Sequence, residues 1–391
     1  MLCLTELKRA LIQDRIKMAS PTLPQPDTLA ETLPSHYYTD ESMLEIEQKR
    51  IFSKTWQYVG TTDALQQPGD YFTVDLAGVP VLITRGRDGV NAMVNVCRHR
   101  LHQVATGCGN ARKFTCPYHA WTYGLDGSLV AAPRTKRIVD FDRNQHPLER
   151  LPVATWGPCV FVSLDPEITP FSEWIGPADE ALKNAGVEIE KLVLRKQTSF
   201  EIAGNWKVVA ENYLECYHCT TAHPSYSQTF DTASAGYQFE IDEHSFIATT
   251  KPTERFTDSS TAPYDATGPI CVNQNNFLWP NFCLATWPGQ NNLIVFGFRP
   301  LGVGRTAGTF DYLMNTDADP DAANDFISFV DEVGHEDVPL IEAVQRGLDS
   351  GRVERGRLVP DEAQLVHFQK LVLAAVSGAE APEKSEATEQ D

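Results

Sequence analysis

Two short arms of the chain have the residue types and spacing to hold a metal cluster. They are Cys97-Arg98-His99 and, after a gap, Cys116-Pro117-Tyr118-His119. The pattern C-x-H-x16-C-x2-H gives each arm one thiolate and one imidazole. Thiolate sulfur suits iron–sulfur iron, and neutral imidazole suits the second iron of a Rieske-type [2Fe–2S] centre. Replacing two thiolates by neutral rings makes such a cluster less negative and raises its potential. A Cys2His2 zinc site is the competing chemistry. Its usual order keeps the cysteines together and the histidines together, whereas here they are interleaved.

A second stretch, NWKVVAENYLECYHCTTAHP, spans residues 205–224. Trp206, Val209, Tyr213 and Cys216 or Tyr217 recur at helical spacing. His218 and His223 are separated by about 140° on a straight helix, too far for one metal. The helix must therefore bulge or end between them, and Pro224 points to an end. A third ligand has to come from another element. Two histidines and one carboxylate form the facial triad for Fe(II), which leaves positions open for dioxygen beside a substrate. An ordinary helix-end pair of histidines is the competing reading, and the cluster arms upstream favour iron.

These two stretches, with the CPYHAW run at 116–121, resemble the Rieske non-haem iron oxygenases, the ring-hydroxylating oxygenase alpha-subunit family. The resemblance covers roughly residues 40–377. It implies a [2Fe–2S] cluster on Cys97, His99, Cys116 and His119, and a mononuclear Fe(II) on His218 and His223. The family's carboxylate ligand lies on a late helix; in HEDVPLIEAVQRGL (335–348) this is Asp337, with Asp331 and Glu336 as competitors. Glu215, where many relatives have Asp, is implied to link the iron-binding histidine to His119 of a neighbouring chain. A head-to-tail homotrimer and a separate flavin/iron–sulfur reductase drawing on NAD(P)H follow from the same resemblance, with O2 as co-substrate. One departure is Leu101, where the family usually has Gly.

The LECYHC context looks like the branch acting on quaternary ammonium compounds such as glycine betaine, proline betaine, choline or carnitine. That implies hydroxylation and N-demethylation with release of formaldehyde. A trimethylammonium head calls for aromatic faces, because it cannot hydrogen-bond. Tyr264, Phe277, Trp279, Trp287 and Phe298 are the candidates, and core packing is the competing role of each. Three other readings stand beside this one. They are an aromatic-ring hydroxylating dioxygenase or aryl O-demethylase of the same fold, an electron-transfer Rieske protein, and a zinc-stabilised binding module.

The elements that must position these groups make an α+β chain. An N-terminal arm (1–40), read as extended from Pro21 to Pro34, precedes a Rieske β domain (41–165). A helix-grip-like catalytic domain (166–377), with an antiparallel sheet and flanking helices, and a disordered tail (378–391) follow. Asp40 or Ser42 caps a helix reaching Ser53. Residues 71–76, 79–84 and 90–96 read as strands joined by glycine turns, and Asp126-Gly127 marks a hairpin. Residues 159–164 read as a further strand. Cys108 reads as a turn residue near the cluster. Helix is expected over 172–190 and 205–219, and as a pair over 320–333 and 338–348. Strands are expected over 192–203, 238–250, 283–286, 293–300 and 306–314. The glycines at 302, 304 and 308 mimic a dinucleotide fingerprint, but a strand follows them and the third is displaced, so they read as a hairpin turn.

The 391 residues suffice for two domains, and a net charge of −19 argues against nucleic-acid binding. Nine irregularly spaced cysteines are no disulfide framework. Free thiols and a reduced cluster point to the cytoplasm. No run is long enough for a membrane span, and the N-terminus does not read as a secretory signal. Met18 is an alternative start.

Overall fold

Apolar–polar alternation in the first half of the chain resolves into antiparallel sheet. In the computed structural model, which describes residues 30–232, 236–256 and 268–377, Asp70–Leu76, Val79–Arg85 and Val90–Val94 lie side by side. Arg150–Leu151 and Cys108–Asn110 form the edges of this sheet. Cys108 is thus an exposed edge-strand residue opposite Phe72, not a turn residue. Gln57–Thr61, Cys159–Val162 and Val153–Trp156 make a second sheet. The first cluster arm follows Val90–Val94. The second joins Phe114–Thr115 to Thr122–Tyr123, which pairs onward with Leu129–Ala131 around the expected turn.

The second half is built on a seven-stranded antiparallel sheet. Its order is Leu192–Ile202, Arg305–Asn315, Asn292–Gly302, Phe282–Thr286, Asn273–Leu278, Ser245–Thr250 and Tyr237–Ile241. One expectation changes here, and one strand is new. The run 238–250 is a hairpin, because polar residues 242–244 turn the chain and the Asp242 amide donates to the Ser245 carbonyl. Asn273–Leu278 is a strand despite its poor propensity, because it pairs with neighbours on both sides and the ladder outweighs the preference.

Asp40 caps Glu41–Glu47 through the Ser42 amide, and a π turn continues to Phe52. Phe171–Ala185 follows the first half. The expected pair of late helices is one continuous helix, Pro320–Asp349. Pro339 lies on its exposed side, where water can satisfy the carbonyl that the missing N–H leaves free. A C-terminal helix, Ala363–Ser377, carries no distinctive signal in the sequence. Ala30–Glu31 pairs with Arg357–Leu358. His36–Thr39 is a short helix within the arm; residues 1–29, the tail and Tyr264 lie outside the described residues. Among the described residues no helix is long and apolar enough to cross a membrane.

Three segments of the chain meet at Glu211, on the helix Trp206–Tyr213. Its carboxylate accepts from Tyr38 Oη at 2.7 Å and from Gln369 Nε2 at 2.9 Å. Burial pushes its pKa from 4.5 up to about 7, against the hydrogen bonds and the Lys207 charge that lower it; Glu362 adds to the rise. The folded chain therefore holds this proton more tightly than the unfolded chain. Stability from this group is complete below pH 4.5 and is lost as pH rises to about 7. Glu211→Gln should flatten that window. At pH 8 the variant should be more stable by on the order of 2 kcal/mol, measured by denaturant unfolding at several pH values.

Candidate active site

The two cluster arms are turns of the same kind. The Leu101 amide donates to the Cys97 carbonyl and the Ala120 amide to the Cys116 carbonyl, each at 3.0 Å. Both closing residues are left-handed, Leu101 at φ +58° and Ala120 at φ +60°. The departure at Leu101 therefore keeps the backbone that glycine favours. The conformation costs about 1–2 kcal/mol in a non-glycine residue. Glycine would return about 0.5–1 kcal/mol of that as backbone entropy. The Leu101 side chain is 75% exposed, so little packing is lost with it. Leu101→Gly should raise the unfolding midpoint, by up to about 1 kcal/mol, with the cluster absorbance as probe.

Within the arms, Cys97 and Cys116 are buried in an apolar cluster with Phe114, Trp121 and Tyr123. Tyr123 Oη lies 3.4 Å from Cys97 Sγ and accepts from the Arg98 amide at 2.9 Å. His99 and His119 stand at the exposed tip with ring centroids 4.5 Å apart, and Trp121 stacks on His99 at 5.1 Å. Desolvation and the neighbouring His99 and Arg100 depress the His119 pKa, which favours the neutral ring a metal needs.

The second site begins where the helix Trp206–Tyr213 stops. Asn205 caps its start through the Lys207 amide. The chain then turns through residues 214–218, resumes as Cys219–Ala222, and breaks again before Pro224. This double break brings both imidazoles to one point, as the five-residue spacing requires. His218 Nε2 and His223 Nε2 lie 3.5 and 3.1 Å from Asp337 Oδ1. The three ligand atoms fall within 4.8 Å of one another.

Each ring is held from behind by a glutamate. His218 Nδ1 meets Glu215 Oε1 at 2.5 Å and His223 Nδ1 meets Glu336 Oε2 at 2.8 Å. Both Nε2 atoms are thereby left toward Asp337, the arrangement by which carboxylates orient metal-binding histidines. Glu336 is thus a partner of His223. Asp331 is engaged by Lys196 Nζ at 2.7 Å and by the Tyr312 hydroxyl. Burial works against charge on His218, but hydrogen bonds to Asp337 and Glu215 outweigh it and push its pKa up to about 10. Burial likewise opposes the Asp337 carboxylate, and the two histidines hold its pKa down at about 2. The site is built to hold positive charge.

The same turn joins Cys216 to Cys219 by a disulfide, which corrects the expectation of free thiols throughout. The break between the helices sets their Cα atoms 4.9 Å apart, within bridging range.

His218, His223 and Asp337 open onto a cavity of about 230 Å³. One wall is aromatic. Phe296 stacks on Phe310 at 4.5 Å, with Phe200 at 5.3 and 5.4 Å from them and Tyr213 at 6.0 Å from Phe296. Trp287 and Tyr226 line it on the His223 side. Of the aromatics named from sequence, Trp287 lines the cavity. Phe277, Trp279 and Phe298 do not: they pack in the buried core around Trp206 and Phe368. Strand alternation alone does not separate Phe296 from Phe298, because both point to one face and only position along the strand decides which reaches the cavity.

Residues 55–151 match the Rieske [2Fe-2S] domain and residues 189–378 the ring hydroxylating alpha subunit catalytic domain. The chain is 34% identical to the chloroplastic choline monooxygenase of Spinacia oleracea, over 93% of this chain and 82% of that protein. It is a Rieske non-haem iron oxygenase. The oxygenase is also 32% identical to the carnitine monooxygenase oxygenase subunit of Acinetobacter pittii, over 88% and 94% of the two chains. Its fold matches that of a quaternary ammonium Rieske monooxygenase solved with its substrate L-carnitine, with TM-score 0.74, 31% identity and 89% and 95% coverage. Such an oxygenase carries a [2Fe–2S] cluster and a mononuclear iron and takes electrons from a reductase. The donor sets fit both groups: paired buried thiols with paired rings at the tip, and two oriented imidazoles with one carboxylate.

Proposed function

We propose that this oxygenase hydroxylates a small quaternary ammonium compound and releases a methyl group as formaldehyde. The observation that carries the reading is the cavity itself. Aromatic faces and carboxylates line the same small space as the triad, and both attract a cation that cannot donate hydrogen bonds. The identity to choline and carnitine monooxygenases supports it. At about 230 Å³ the cavity is below the roughly 300–1,000 Å³ of sites for drug-sized ligands, which suits a compact substrate.

His218, His223 and Asp337 would hold the iron, with Glu215 and Glu336 fixing the two rings. Cys97, Cys116, His99 and His119 would hold the cluster. When bound, the cluster supplies single electrons and the iron supplies dioxygen activation. The phenylalanine wall holds the ammonium head while a methyl C–H faces the triad. In balance, one atom of O2 enters the C–H bond. The other leaves as water with two electrons from NAD(P)H by way of the reductase and two protons. The N-hydroxymethyl ammonium then breaks its C–N bond, giving the tertiary amine, formaldehyde and a proton.

The histidine pair at the exposed tip and the Glu215 carboxylate beside His218 support a head-to-tail homotrimer. In it Glu215 would link His218 to a neighbouring copy's His119. The oxygenase domain is taken to span 166–377 and the cluster domain 41–165, in the cytoplasm.

Reconstitution with a reductase and NADH, screening methylammonium compounds against aromatic acids, should give formaldehyde with the former. Turnover of an aromatic acid with no quaternary amine consumed would remove the reading.

A further inference from the structure

We propose that Cys216 and Cys219 are a reversible dithiol–disulfide couple, oxidised by hydrogen peroxide, and that the disulfide holds the His218 ring in place for iron. This goes beyond the substrate reading and rests on the iron assignment of His218, His223 and Asp337.

The pair brackets a ligand. In Cys216-Tyr217-His218-Cys219 the imidazole stands on the loop that the S–S bond closes. The Cys219 amide donates to the Cys216 carbonyl at 3.1 Å, so the four residues make one turn. Glu215, next to Cys216, holds His218 from behind. Both cysteines are nearly buried, at 8% and 5% exposure, and both line the cavity with His218 and His223. Tyr217, Thr220 and Thr221 are exposed, so the turn lies at the surface and opening it is a local motion.

A permanent staple explains this bond poorly. A disulfide stabilises a fold more as the loop it closes lengthens, and this one joins residues only three apart. An oxygenase fed by a reductase works beside a strong reductant. In such surroundings protein disulfides are mostly transient or redox-sensing. The cavity also sets these sulfurs beside the place where dioxygen is consumed. Two electrons and two protons added to O2 without attack on substrate give hydrogen peroxide, which is small enough to reach them.

The chemistry balances. One thiol attacks peroxide, the O–O bond breaks, and a sulfenic acid forms with loss of water. The second thiol condenses with it, giving the S–S bond and a second water. The thiols have then lost two electrons and two protons to peroxide. A dithiol reverses the step by exchange, becoming a disulfide itself and returning both hydrogens. As thiols the two sulfurs no longer sit at bonding distance. The side chains part, and Cys216 moves with the Glu215 that orients the ring. Partners that orient a metal-binding histidine are worth about 10–100-fold in metal affinity.

The test uses the full chain with its cluster, under anaerobic conditions. The chain is reduced with dithiothreitol, and a portion is then reoxidised with one equivalent of hydrogen peroxide after the dithiol is removed. Ferrous iron is loaded last. Thiols are counted by alkylation in denaturant, and the tryptic peptide 208–251 contains these two cysteines and no other. Competition with a ferrous chelator measures the mononuclear iron, and the cluster absorbance serves as control. The reduced chain should hold that iron at least about tenfold more weakly, with the cluster unchanged, and peroxide should restore both the disulfide and the affinity. Cys216→Ser with Cys219→Ser should behave as the reduced chain in either state. A disulfide that dithiothreitol leaves intact in the folded chain overturns the inference, as do thiols that peroxide carries to sulfinic acid instead. Equal iron affinity in the two states overturns it and leaves the iron assignment standing. Failure to bind a third iron in either state overturns both.

Discussion

His223→Ala should abolish turnover, by more than about a thousandfold, while leaving the visible absorption of the cluster unchanged. The ring is 2% exposed, its Nε2 is 3.1 Å from Asp337 and its Nδ1 is tied to Glu336. Its removal leaves His218 and Asp337 as two ligands where a facial site needs three. Metal analysis should then fall from about three irons per chain to about two, since the cluster contributes two. The cluster arms are built from a different sheet and a separate apolar cluster, so their colour reports independently. Loss of that colour with the mononuclear iron retained would mean that the histidines have been assigned to the wrong centre. Zinc in place of iron at both sites would remove the oxygenase reading of the donor sets.

The candidate ligands stand out in the sequence because metal chemistry restricts residue type and spacing at once. Cys97, His99, Cys116 and His119 stand in an order that few other functions demand. The five-residue gap between His218 and His223 already required the helix to break, and it breaks twice. The neighbours of those ligands were less legible. Glu336 and Asp337 are adjacent, and only the direction each takes from one helix makes the second face both rings and the first sit behind His223. The aromatic wall was not legible at all. Phe200, Phe296 and Phe310 come from three strands, and their meeting depends on sheet register, which a single sequence leaves open. The continuous helix 320–349 escaped for a related reason. A proline read as a stop is harmless where its freed carbonyl faces water.

The least expected feature is a buried ion pair, and it carries the second large effect. Lys207 and Glu47 are both fully buried, with Nζ 2.5 Å from Oε1. Glu47 Oε2 also accepts from Trp206 Nε1 at 2.7 Å, and the Lys207 ammonium lies over the Tyr38 and Trp206 rings at 5.4 and 5.2 Å. Burial lowers the Lys207 pKa, against the Glu47 charge that raises it. The pair locks the helix Glu41–Glu47 to the helix that runs into Glu215 and His218, so the turn carrying those two residues depends on it. Lys207→Ala leaves the Glu47 carboxylate buried without a counter-charge and should cost about 3–5 kcal/mol. For a domain of this size that is a fall of roughly 6–20 °C in the unfolding midpoint. Replacing both partners, Glu47→Gln with Lys207→Met, removes the charges together and keeps an acceptor for Trp206. The double variant should recover most of the loss, because a buried pair contributes little beyond the cost of breaking it. If the double variant is as unstable as Lys207→Ala, the loss comes from side-chain packing and the electrostatic account of this contact is wrong.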